Sequence, residues 1–417
     1  MIDIKLIREQ KDQVEQSAKD KRVVLDVGHL LEIDAKFQEL NTLVQKIREE
    51  RNVFTDTIKG KPTEEQMTQG RELKEKLEKQ EAILNALDQE RKDWLYKIPN
   101  MPKSDVKVGR DDTENDVIRK VGEIKKFSFI PKDHLELGER LDIIDVERAA
   151  KVSGSRFAYL KNDGALLEFA LVQFALETLI KEGFIPVVPP VLIKKEVMRG
   201  LGYMENGGDE DMFQLSNDGL VLVGTAEHAL VSMHKDEVFQ KKDLPKRYVG
   251  FSSAFRREAG SYGKDTRGII RVHQFDKVEM VTFVSAEDDD VEHEYLLSLE
   301  EKLFQALGIP YQVIKMCTGD LGFPIARKYD IEAWMPAQNT YREVTSASTA
   351  TDFQARRLGI RYVDENDRKF VHILNGTAFA IGRTIVAILE NYQEEDGSIV
   401  VPEVLRKYIG KDIIKPQ

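Results

Sequence analysis

The 417-residue sequence contains very little cysteine, since Cys317 is its single one. A disulfide framework and a zinc or iron–sulfur site built from several thiolates are therefore excluded. The seven histidines are scattered along the chain and form no ligand cluster, so no zinc is expected.

Long apolar runs are also missing. No stretch approaches the ~18 consecutive apolar residues of a membrane span, and residues 1–5 lack the features of a signal or transit peptide. We therefore expect no membrane association and a cytoplasmic location. Basic residues are not in excess either, because 62 Lys and Arg stand against 73 Asp and Glu, a net charge of −11. Any contact with nucleic acid would need a local basic patch.

The N-terminal part of the chain carries two helices whose mostly apolar side chains recur at alternating steps of three and four, on one seam of each helix. The seam residues are Leu30, Ile33, Phe37, Leu40, Val44, Ile47, Arg51, Phe54 and Ile58, then Leu73, Leu77, Gln80, Leu84, Leu87, Arg91 and Trp94. Gly60 and Pro62 end the first helix. Thr63, followed by Gln66, predicts a capping box that begins the second. The pattern predicts an antiparallel hairpin over about 29–97, roughly 45 Å long at 1.5 Å per residue.

Two prolines, Pro99 and Pro102, follow the hairpin and predict a linker. We expect an N-terminal domain of residues 1–102 and a second domain of residues 103–417. Basic and acidic side chains nearly balance in residues 46–79, around the hairpin tip. This balance fits a solvated hairpin used for dimerisation or protein docking, and it also fits a rod that meets phosphates with one face. The pattern does not decide between these partners.

In the second domain, two strand-like runs within residues 248–284 flank a glycine-bearing loop, residues 259–268, which predicts an antiparallel hairpin. Alternation places Arg256 and Glu258 on one face of the first strand. On the second strand, the same rule groups Arg271, His273, Phe275, Lys277 and Glu279. Such a face can hold a ligand that carries an anion, a flat ring and a cation. An ordinary solvated sheet face is the alternative.

Other segments place polar side chains at the ends of apolar runs. Residues 220–223 lead into Thr225, Ala226 and Glu227, and residues 371–374 lead into Asn375 and Thr377. Arg383 begins an otherwise apolar helix, where a buried guanidinium needs an anionic partner from the protein or from a ligand. Residues 184–192 are apolar but interrupted by prolines, which predicts an edge strand or a subunit interface.

Together these segments resemble the class II aminoacyl-tRNA synthetases, and among them the seryl-tRNA synthetase family. Pro190 is similar to the proline of the first class II motif, residues 255–258 with 271–279 to the second motif, and residues 375–383 to the third. Residues 3–8, the hairpin, residues 147–156 and residues 352–357 are also typical of that family. The resemblance implies an α+β fold, with an antiparallel-sheet catalytic domain and an N-terminal antiparallel two-helix coiled-coil arm. The first motif implies a homodimer.

The same resemblance implies roles for individual residues. The implied ATP-binding residues are Arg256, Arg257, Glu258, Arg271, Val272, Phe275, Glu343, Val344, Thr345, Ser346 and Arg383, with Mg²⁺ on Glu343 and Ser346. The implied L-serine-binding residues are Thr225, Ala226, Glu227, Arg256, Glu279, Asn375 and Thr377. The implied catalytic residues are Arg256, Glu258 and Arg383. Thr345 and Thr349 replace a serine and an asparagine that many relatives have, and they concern only the local geometry of the ATP loop.

The activity implied is that of a serine–tRNA ligase, which activates L-serine with ATP and transfers the seryl group to the 3′ end of tRNA(Ser). In this family the helical hairpin lies along the long variable arm of the tRNA, so tRNA(Ser) is expected to bind there. One alternative is a non-catalytic paralogue that acts as an RNA-binding or interaction protein, although it should have lost some of the catalytic side chains. A ligase that loads a carrier protein is disfavoured, because such relatives lack the long hairpin.

Overall fold

A computed structural model describes residues 1–259, 265 and 267–416 of the chain. The chain divides into two compact units, Met1–Pro99 and Asn100–Gln417. Among the helices of the described residues, none combines the length and the apolar character that a membrane span requires.

The first unit is helical. Its helices are α1 (Ile4–Glu9), α2 (Lys11–Asp20), α3 (Val27–Thr57) and α4 (Glu64–Tyr96). The capping box predicted at the start of α4 is confirmed: the Gln66 N–H donates to Thr63 Oγ1 at 3.2 Å, and the Thr63 N–H donates to Gln66 Oε1 at 2.9 Å. These two bonds satisfy backbone donors that the first turn of a helix leaves without a partner.

Helices α3 and α4 form the predicted antiparallel hairpin. Val44, Ile47 and Leu77 are buried in one apolar cluster, against which Leu84 packs. The seam positions are buried or half-buried, with the exception of Arg51. The heptad spacing is therefore a sufficient signal for this element, because two long amphipathic helices joined by a short turn can bury their seams only against each other.

A charged cluster, which the spacing did not predict, lies in the same unit. The carboxylate of Asp34 on α3 is buried and accepts hydrogen bonds from Arg8 Nε at 2.7 Å and from Arg91 Nη1 at 3.1 Å. Gln38 Nε2 donates to the same carboxylate at 2.8 Å. Arg91 also lies 3.8 Å from the centroid of the Phe37 ring. Asp34 therefore ties α1, α3 and α4 together through hydrogen bonds to two cations.

The second unit combines helices with a large sheet. The described helices are α5 (His134–Arg140), α6 (Val146–Ser153), α7 (Asp163–Lys181), α8 (Lys195–Leu201), α9 (Glu227–Ser232), α10 (Asp289–Leu307), α11 (Phe353–Leu358), α12 (Ile381–Asn391) and α13 (Glu403–Ile409). The described strands are β1 (Asp116–Val121), β2 (Ile144–Asp145), β3 (Tyr159–Leu160), β4 (Ile185–Val187), β5 (Leu192–Lys194), β6 (Gln214–Leu215), β7 (Leu220–Leu222), β8 (Val238–Gln240), β9 (Lys246–Phe255), β10 (Gln274–Val284), β11 (Tyr311–Lys315), β12 (Arg327–Met335), β13 (Thr340–Thr349), β14 (Arg361–Asp364), β15 (Asp367–Phe370), β16 (His372–Ala380), β17 (Ile399–Val400) and β18 (Ile413–Ile414).

Eight of the described strands form the central sheet, in the order β1-β11-β12-β13-β16-β10-β9-β4. Its neighbours pair antiparallel, except for the parallel pair β4 and β9. One face of the sheet packs against α10 and α12 around a large apolar core that includes Val278 and Met280 of β10. Because side chains alternate along a strand, Lys277 and Glu279 lie on the opposite face. That face carries the candidate site.

The edge prediction for residues 184–192 is confirmed, since β4 carries Pro186 at the end of the central sheet. A proline is tolerated there because an edge strand leaves N–H positions that need no ladder partner. The predicted hairpin around residues 259–268 is also present, as β9 and β10 pair antiparallel. Loop residues 260–264 and 266 lie outside the described residues.

Candidate active site

Two adjoining cavities open on the polar face of the central sheet, in the described part of the chain. The first cavity is lined by Arg256, Glu258, Ile269, Ile270, Arg271, Val272, Phe275, Lys277, Glu343, Val344, Thr345, Ser346, Thr377, Ala380, Gly382 and Arg383. The lining of the second cavity includes Tyr203, Gly224, Thr225, Glu227, His228, Arg256, Lys277, Glu279, Ser346 and Asn375. Because Arg256, Lys277 and Ser346 line both cavities, these side chains mark the border where the two spaces meet.

Arg256 follows the last residue of β9 and is held on several sides. Its N–H donates to the His273 carbonyl at 3.0 Å, and its own carbonyl accepts from His273 Nδ1 at 3.0 Å. Its Nε donates to the Gly224 carbonyl at 3.2 Å, and its guanidinium lies 5.4 Å from the Phe275 ring centroid. A cation is thus fixed beside an aromatic ring at the border of the cavities, where it can bind an anion.

Glu258 and Arg271 form an ion pair at the mouth of the first cavity, with Arg271 Nη1 donating to Glu258 Oε2 at 2.6 Å. The prediction that both residues belong to strands is wrong, because the strands are shorter than the alternation indicated. The structure ends β9 at Phe255 and begins β10 at Gln274, so both residues lie outside the strands. Glu258 has a φ of +55°, a left-handed conformation that stops an extended chain.

Arg383 lies in the first turn of α12, and its anionic partner is Glu343. Arg383 Nη1 donates to the Glu343 carboxylate at 2.9 Å and to the Glu343 carbonyl at 3.0 Å, while its Nε donates to the Ile270 carbonyl at 3.3 Å. Burial alone would raise the pKa of Glu343, but the positive charges of Arg383 and Lys328 hold that pKa below its usual range. The carboxylate is therefore ionised at neutral pH.

The oxygen ligands that Mg²⁺ prefers are present in the first cavity. Glu343 contributes a carboxylate and Ser346 a hydroxyl. Within residues 1–259, 265 and 267–416, no group of three or more His, Cys, Asp or Glu side chains is arranged as a metal site. Mg²⁺ commonly takes one or two protein carboxylates and completes its ligand set with phosphate oxygens and water. These residues therefore fit an Mg²⁺ that arrives with a phosphate ligand.

Glu227 is a carboxylate buried in the second cavity. It accepts hydrogen bonds from the Tyr203 hydroxyl at 3.0 and 3.2 Å and from Gln354 Nε2 at 3.1 Å. Burial raises the pKa of Glu227, and the negative charge of Glu279 raises it further. Because neutral groups donate to this carboxylate, it can still gain a positively charged partner from a ligand.

His228 lies beside Glu227 and is uncharged. Burial lowers the pKa of His228 to about 3, and the charges of Arg256 and Lys277 act in the same direction. Its Nδ1 accepts a hydrogen bond from the Gly224 N–H at 3.2 Å. The carbonyl of the same glycine accepts a hydrogen bond from Arg256 Nε, so Gly224 connects the imidazole to the arginine at the cavity border.

Glu279 lies in a second set of polar contacts, formed between β10 and β16. Lys277 Nζ lies 2.6 Å from Glu279 Oε2 and donates to Thr225 Oγ1 at 3.2 Å. Thr377 Oγ1 donates to the same carboxylate of Glu279 at 3.2 Å. The strand register explains the last contact: Val278 pairs with Phe379 but Glu279 pairs with Thr377, so Ala378 forms a β-bulge. Without the bulge, an alanine would oppose the glutamate.

The structure brings most of the predicted site residues into the cavities. All of the predicted ATP-binding residues line the first cavity except Arg257, whose guanidinium lies 5.7 Å from the Phe213 ring centroid. The predicted serine-binding residues line the second cavity except Ala226, which is buried in an apolar cluster, and Thr377, which lines the first cavity and contacts Glu279.

Three side chains that contact the carboxylates of Glu227 and Glu279 had no role assigned from the sequence. Alternation placed Lys277 on the polar face of β10, and this position was the only signal available for it. Tyr203 follows α8, and Gln354 lies on α11, far along the chain from Glu227. No spacing connects such distant positions, so their contacts with Glu227 could be found only from the structure.

Comparison with known proteins identifies the class to which this fold and site belong. Residues 212–392 match the family described as tRNA synthetase class II core domain (G, H, P, S and T). A solved prolyl-tRNA synthetase of Giardia lamblia shares the fold at a TM-score of 0.56 and 17% identity, over 65% of this chain and 53% of that chain. The second unit thus has the fold of a class II aminoacyl-tRNA synthetase catalytic domain.

Full-length relatives narrow the class further. Residues 1–102 match the seryl-tRNA synthetase N-terminal domain. The proteins named serine–tRNA ligase from Dictyoglomus thermophilum and Acidothermus cellulolyticus are 45% and 46% identical, each over 100% of both chains. The crystal structure of seryl-tRNA synthetase from Pyrococcus horikoshii complexed with ATP has a TM-score of 0.92 and 41% identity, over 100% of both chains. The chain belongs to the seryl-tRNA synthetase family, which confirms the family and the fold class predicted from the sequence.

Proposed function

We propose that this chain is a serine–tRNA ligase that activates L-serine with ATP to form seryl-adenylate and pyrophosphate. It then transfers the seryl group to the terminal ribose hydroxyl at the 3′ end of tRNA(Ser), and AMP leaves. One structural observation carries the proposal. A cavity that holds an arginine, an aromatic ring and a second arginine shares a border with a cavity that holds two buried carboxylates. The two spaces suit an activated nucleotide and a small amino acid whose reacting groups must meet.

The first step joins the two substrates at that border. A carboxylate oxygen of serine attacks the α-phosphorus of ATP, the bond from that phosphorus to the bridging oxygen breaks, and pyrophosphate leaves with the electron pair. No protein nucleophile is required, so the protein contributes by positioning the reactants and stabilising negative charge. Arg256 lines both cavities and is the cation suited to hold the α-phosphate and the incoming carboxylate.

The nucleotide is proposed to occupy the first cavity. Phe275 offers a flat face for the adenine, with Arg383 across the cavity and near the γ-phosphate, and Glu258 offers a carboxylate to the adenine amino group. Arg271, which pairs with Glu258 at 2.6 Å, is proposed to reach the γ-phosphate side. The support for ATP use comes from the ATP complex of the Pyrococcus relative and the AMP complex of a Naegleria fowleri relative that is 30% identical over 100% of this chain.

Glu343 and Ser346 are proposed to hold Mg²⁺ together with the phosphates. A bound Mg²⁺ supplies charge neutralisation on the triphosphate. Arg383 contributes to the same site through this chain, because it orients the Glu343 carboxylate at 2.9 Å and helps to keep it ionised. The ionised carboxylate of Glu343 and the hydroxyl of Ser346 are then the protein oxygens that Mg²⁺ can bind.

Serine is proposed to occupy the second cavity, with Asn375 on its lining. Its α-ammonium would pair with Glu227 and Glu279. Its hydroxyl would bond to Glu279 and to Thr377, which lines the first cavity but contacts Glu279. Such a pocket discriminates against alanine, because an analogue without the hydroxyl leaves buried polar groups unpaired, and such sites reject it by about 10⁴–10⁵.

The second step requires tRNA, for which the hairpin α3–α4 is the proposed contact. We propose that residues 1–102 form the tRNA-binding domain and residues 103–417 the catalytic domain. A-form RNA is recognised largely through its backbone and 2′-hydroxyls, which suits a hairpin whose tip charges nearly balance. A homodimer and a cytoplasmic location are further parts of this proposal.

The test is ATP–pyrophosphate exchange with each of the twenty amino acids in turn, followed by charging of total tRNA with the amino acid that supports exchange. We expect serine alone to support exchange and serine tRNAs alone to be charged. Exchange with a different amino acid would refute the assignment of serine. Absence of exchange with all twenty, in a protein that binds tRNA(Ser), would favour the non-catalytic alternative.

A further inference from the structure

Lys277 is the buried charge of the site to which the proposed reaction assigns no role. It is 7% exposed, and its Nζ lies 2.6 Å from Glu279 Oε2 and 3.2 Å from Thr225 Oγ1. A buried ammonium is stable only with such partners, because an unpaired buried charge costs several kcal/mol. A methionine or leucine at this position would fill a similar volume without that cost, so the choice of lysine needs a separate explanation.

The location of Lys277 suggests the explanation. With Arg256 and Ser346, it lines both cavities, at the border where an amino-acid carboxylate would meet an α-phosphate. Its side chain points away from the solvent and toward Glu279, the carboxylate that is proposed to bind serine in the second cavity. Lys277 therefore contacts the serine-binding groups themselves, rather than a distant part of the sheet.

We infer that Lys277 is a positioning residue for the amino acid: its ammonium holds the Glu279 carboxylate and directs it toward the ammonium and hydroxyl groups of serine. This inference rests on the proposed function. It predicts that replacing Lys277 weakens serine binding more than ATP binding, because Lys277 contacts Glu279 and Thr225 in the second cavity.

The charges around Glu279 show why a cation is needed there. Glu227 on α9 and Glu300 on α10 both interact electrostatically with Glu279 and with Lys277. Tyr203 also interacts electrostatically with Glu279, and Arg256 lies at the border of the same cavity.

Without Lys277, Arg256 and Lys328 would be the remaining cations on the lining of the second cavity. The Glu279 carboxylate would keep the Thr377 hydroxyl at 3.2 Å but lose the ammonium at 2.6 Å. A carboxylate held by one neutral donor is less firmly directed at a substrate than a carboxylate that is also held by a cation.

The experiment compares Lys277→Met and Lys277→Arg in the full-length protein by serine-dependent pyrophosphate exchange. For Lys277→Met, we expect the KM for serine at neutral pH to rise by about 30-fold or more, the loss typical of truncating one partner of a buried charge pair. The KM for ATP should change by less than about threefold. Lys277→Arg, which keeps the cation, should stay closer to wild type than Lys277→Met in its KM for serine.

Lys246→Met is the matched control, since Lys246 lies on the neighbouring strand β9, with its ammonium over the ring of Phe239 and outside both cavities. It removes a lysine from the same sheet and should keep the serine KM. A double variant with Glu279→Gln adds a second check. In that background, Lys277→Met should raise the serine KM little further, because the carboxylate that Lys277 positions is absent.

An unchanged serine KM in Lys277→Met would overturn the inference, and so would equal losses for serine and ATP. If Lys277→Met does not fold, Lys277→Gln gives the same comparison, because its amide can still donate to Thr225 without a charge. Failure of both neutral variants to fold, as judged by thermal melting, would show a structural role and refute the inference. Failure of wild type to perform serine-dependent exchange would instead refute the proposed function.

Discussion

Glu343 and Ser346 lie on the same face of β13. They are three residues apart, a spacing that would place them on opposite faces of a regular strand. The register with β12 shows how: Ile331 pairs with Thr345 and Glu332 pairs with Glu343, so Val344 has no partner and forms a β-bulge. An extra residue in one strand reverses the alternation beyond it. The carboxylate and the hydroxyl thus both reach the first cavity, where the proposed Mg²⁺ site requires them.

This relationship predicts how Mg²⁺ dependence should respond to substitution. Glu343→Gln keeps the shape of the side chain but removes the anionic ligand. We expect the Mg²⁺ concentration for half-maximal pyrophosphate exchange to rise at least about tenfold, the loss that even an outer-shell partner of a metal ligand can cause. Glu332→Gln on β12 is the control, since Glu332 pairs with Glu343 across the strands but does not line the first cavity. An unchanged Mg²⁺ requirement in Glu343→Gln would contradict the proposed site.

The adjacent arginines 256 and 257 should behave differently. Arg256 borders both cavities, whereas Arg257 lies against Phe213. Removing a group that stabilises developing negative charge typically costs about 10²–10³ in rate, so Arg256→Ala should nearly abolish serine-dependent exchange. Arg257→Ala should stay within about twofold of wild type, as expected of a substitution outside the site. Equal losses in the two variants, both with wild-type melting temperatures, would refute this distinction.

The sequence was sufficient where a single periodicity persists. The step of three and four along α3 and α4 predicted the hairpin, and the pair Thr63 and Gln66 predicted the start of α4, because capping depends on neighbours within one turn. The positions of Lys277 and Glu279 on one face of β10 likewise followed from alternation.

The sequence was insufficient where alternation is interrupted. The bulges at Val344 and Ala378 decide which side chains face the cavities, and alternation cannot place an unpaired residue. Strand β9 ends at Phe255, and Glu258 beyond it is left-handed, although alternation had continued the strand through this position. The motifs of the family placed these residues in one site, but the geometry that brings them there becomes visible only through the strand register.

Shortening the hairpin should separate the two steps of the reaction. Removing residues 43–85 and closing the gap with a short glycine linker preserves Asp34 and Arg91 at the base of the hairpin. We expect near-normal serine-dependent exchange, because the two cavities are lined entirely by residues beyond position 200. Aminoacylation of tRNA(Ser) should be lost. Normal charging by the shortened protein would refute the assignment of the hairpin as the tRNA contact.

Asp34 should contribute strongly to the stability of the first unit. Its carboxylate is buried and contacts Arg8 and Arg91 at 2.7 and 3.1 Å. Hydrogen bonds to a charged group typically contribute about 1.5–3 kcal/mol, so urea unfolding of Asp34→Ala should show a loss of that order. Glu81→Ala is the control, since its pair with Arg48 is largely exposed and should be worth about 1 kcal/mol or less. Similar losses in both variants would contradict a special role for the buried carboxylate.

Buried histidines should make the protein less stable in mild acid. Burial lowers the pKa of His293 to about 4, and the Arg327 charge acts in the same direction. In the unfolded chain a histidine titrates near pH 6.5. Above that pH both states are neutral and stability is unaffected. As the pH falls from about 6.5 toward 4, the unfolded state binds a proton that the folded state refuses, so the free energy of unfolding falls by up to about 1.4 kcal/mol per pH unit for this group.

His293→Gln tests this linkage, because glutamine does not titrate. Urea unfolding of wild type and of the variant should be followed between pH 7 and pH 4. The variant is expected to be less stable at pH 7, where it loses the contacts of His293 with Arg327 and the Ala347 carbonyl at 3.1 and 3.0 Å. Its stability should nevertheless decline less steeply with acidification. Parallel curves for the two proteins would show that His293 binds no additional proton when the protein unfolds. The argument that burial keeps His293 neutral would then be wrong.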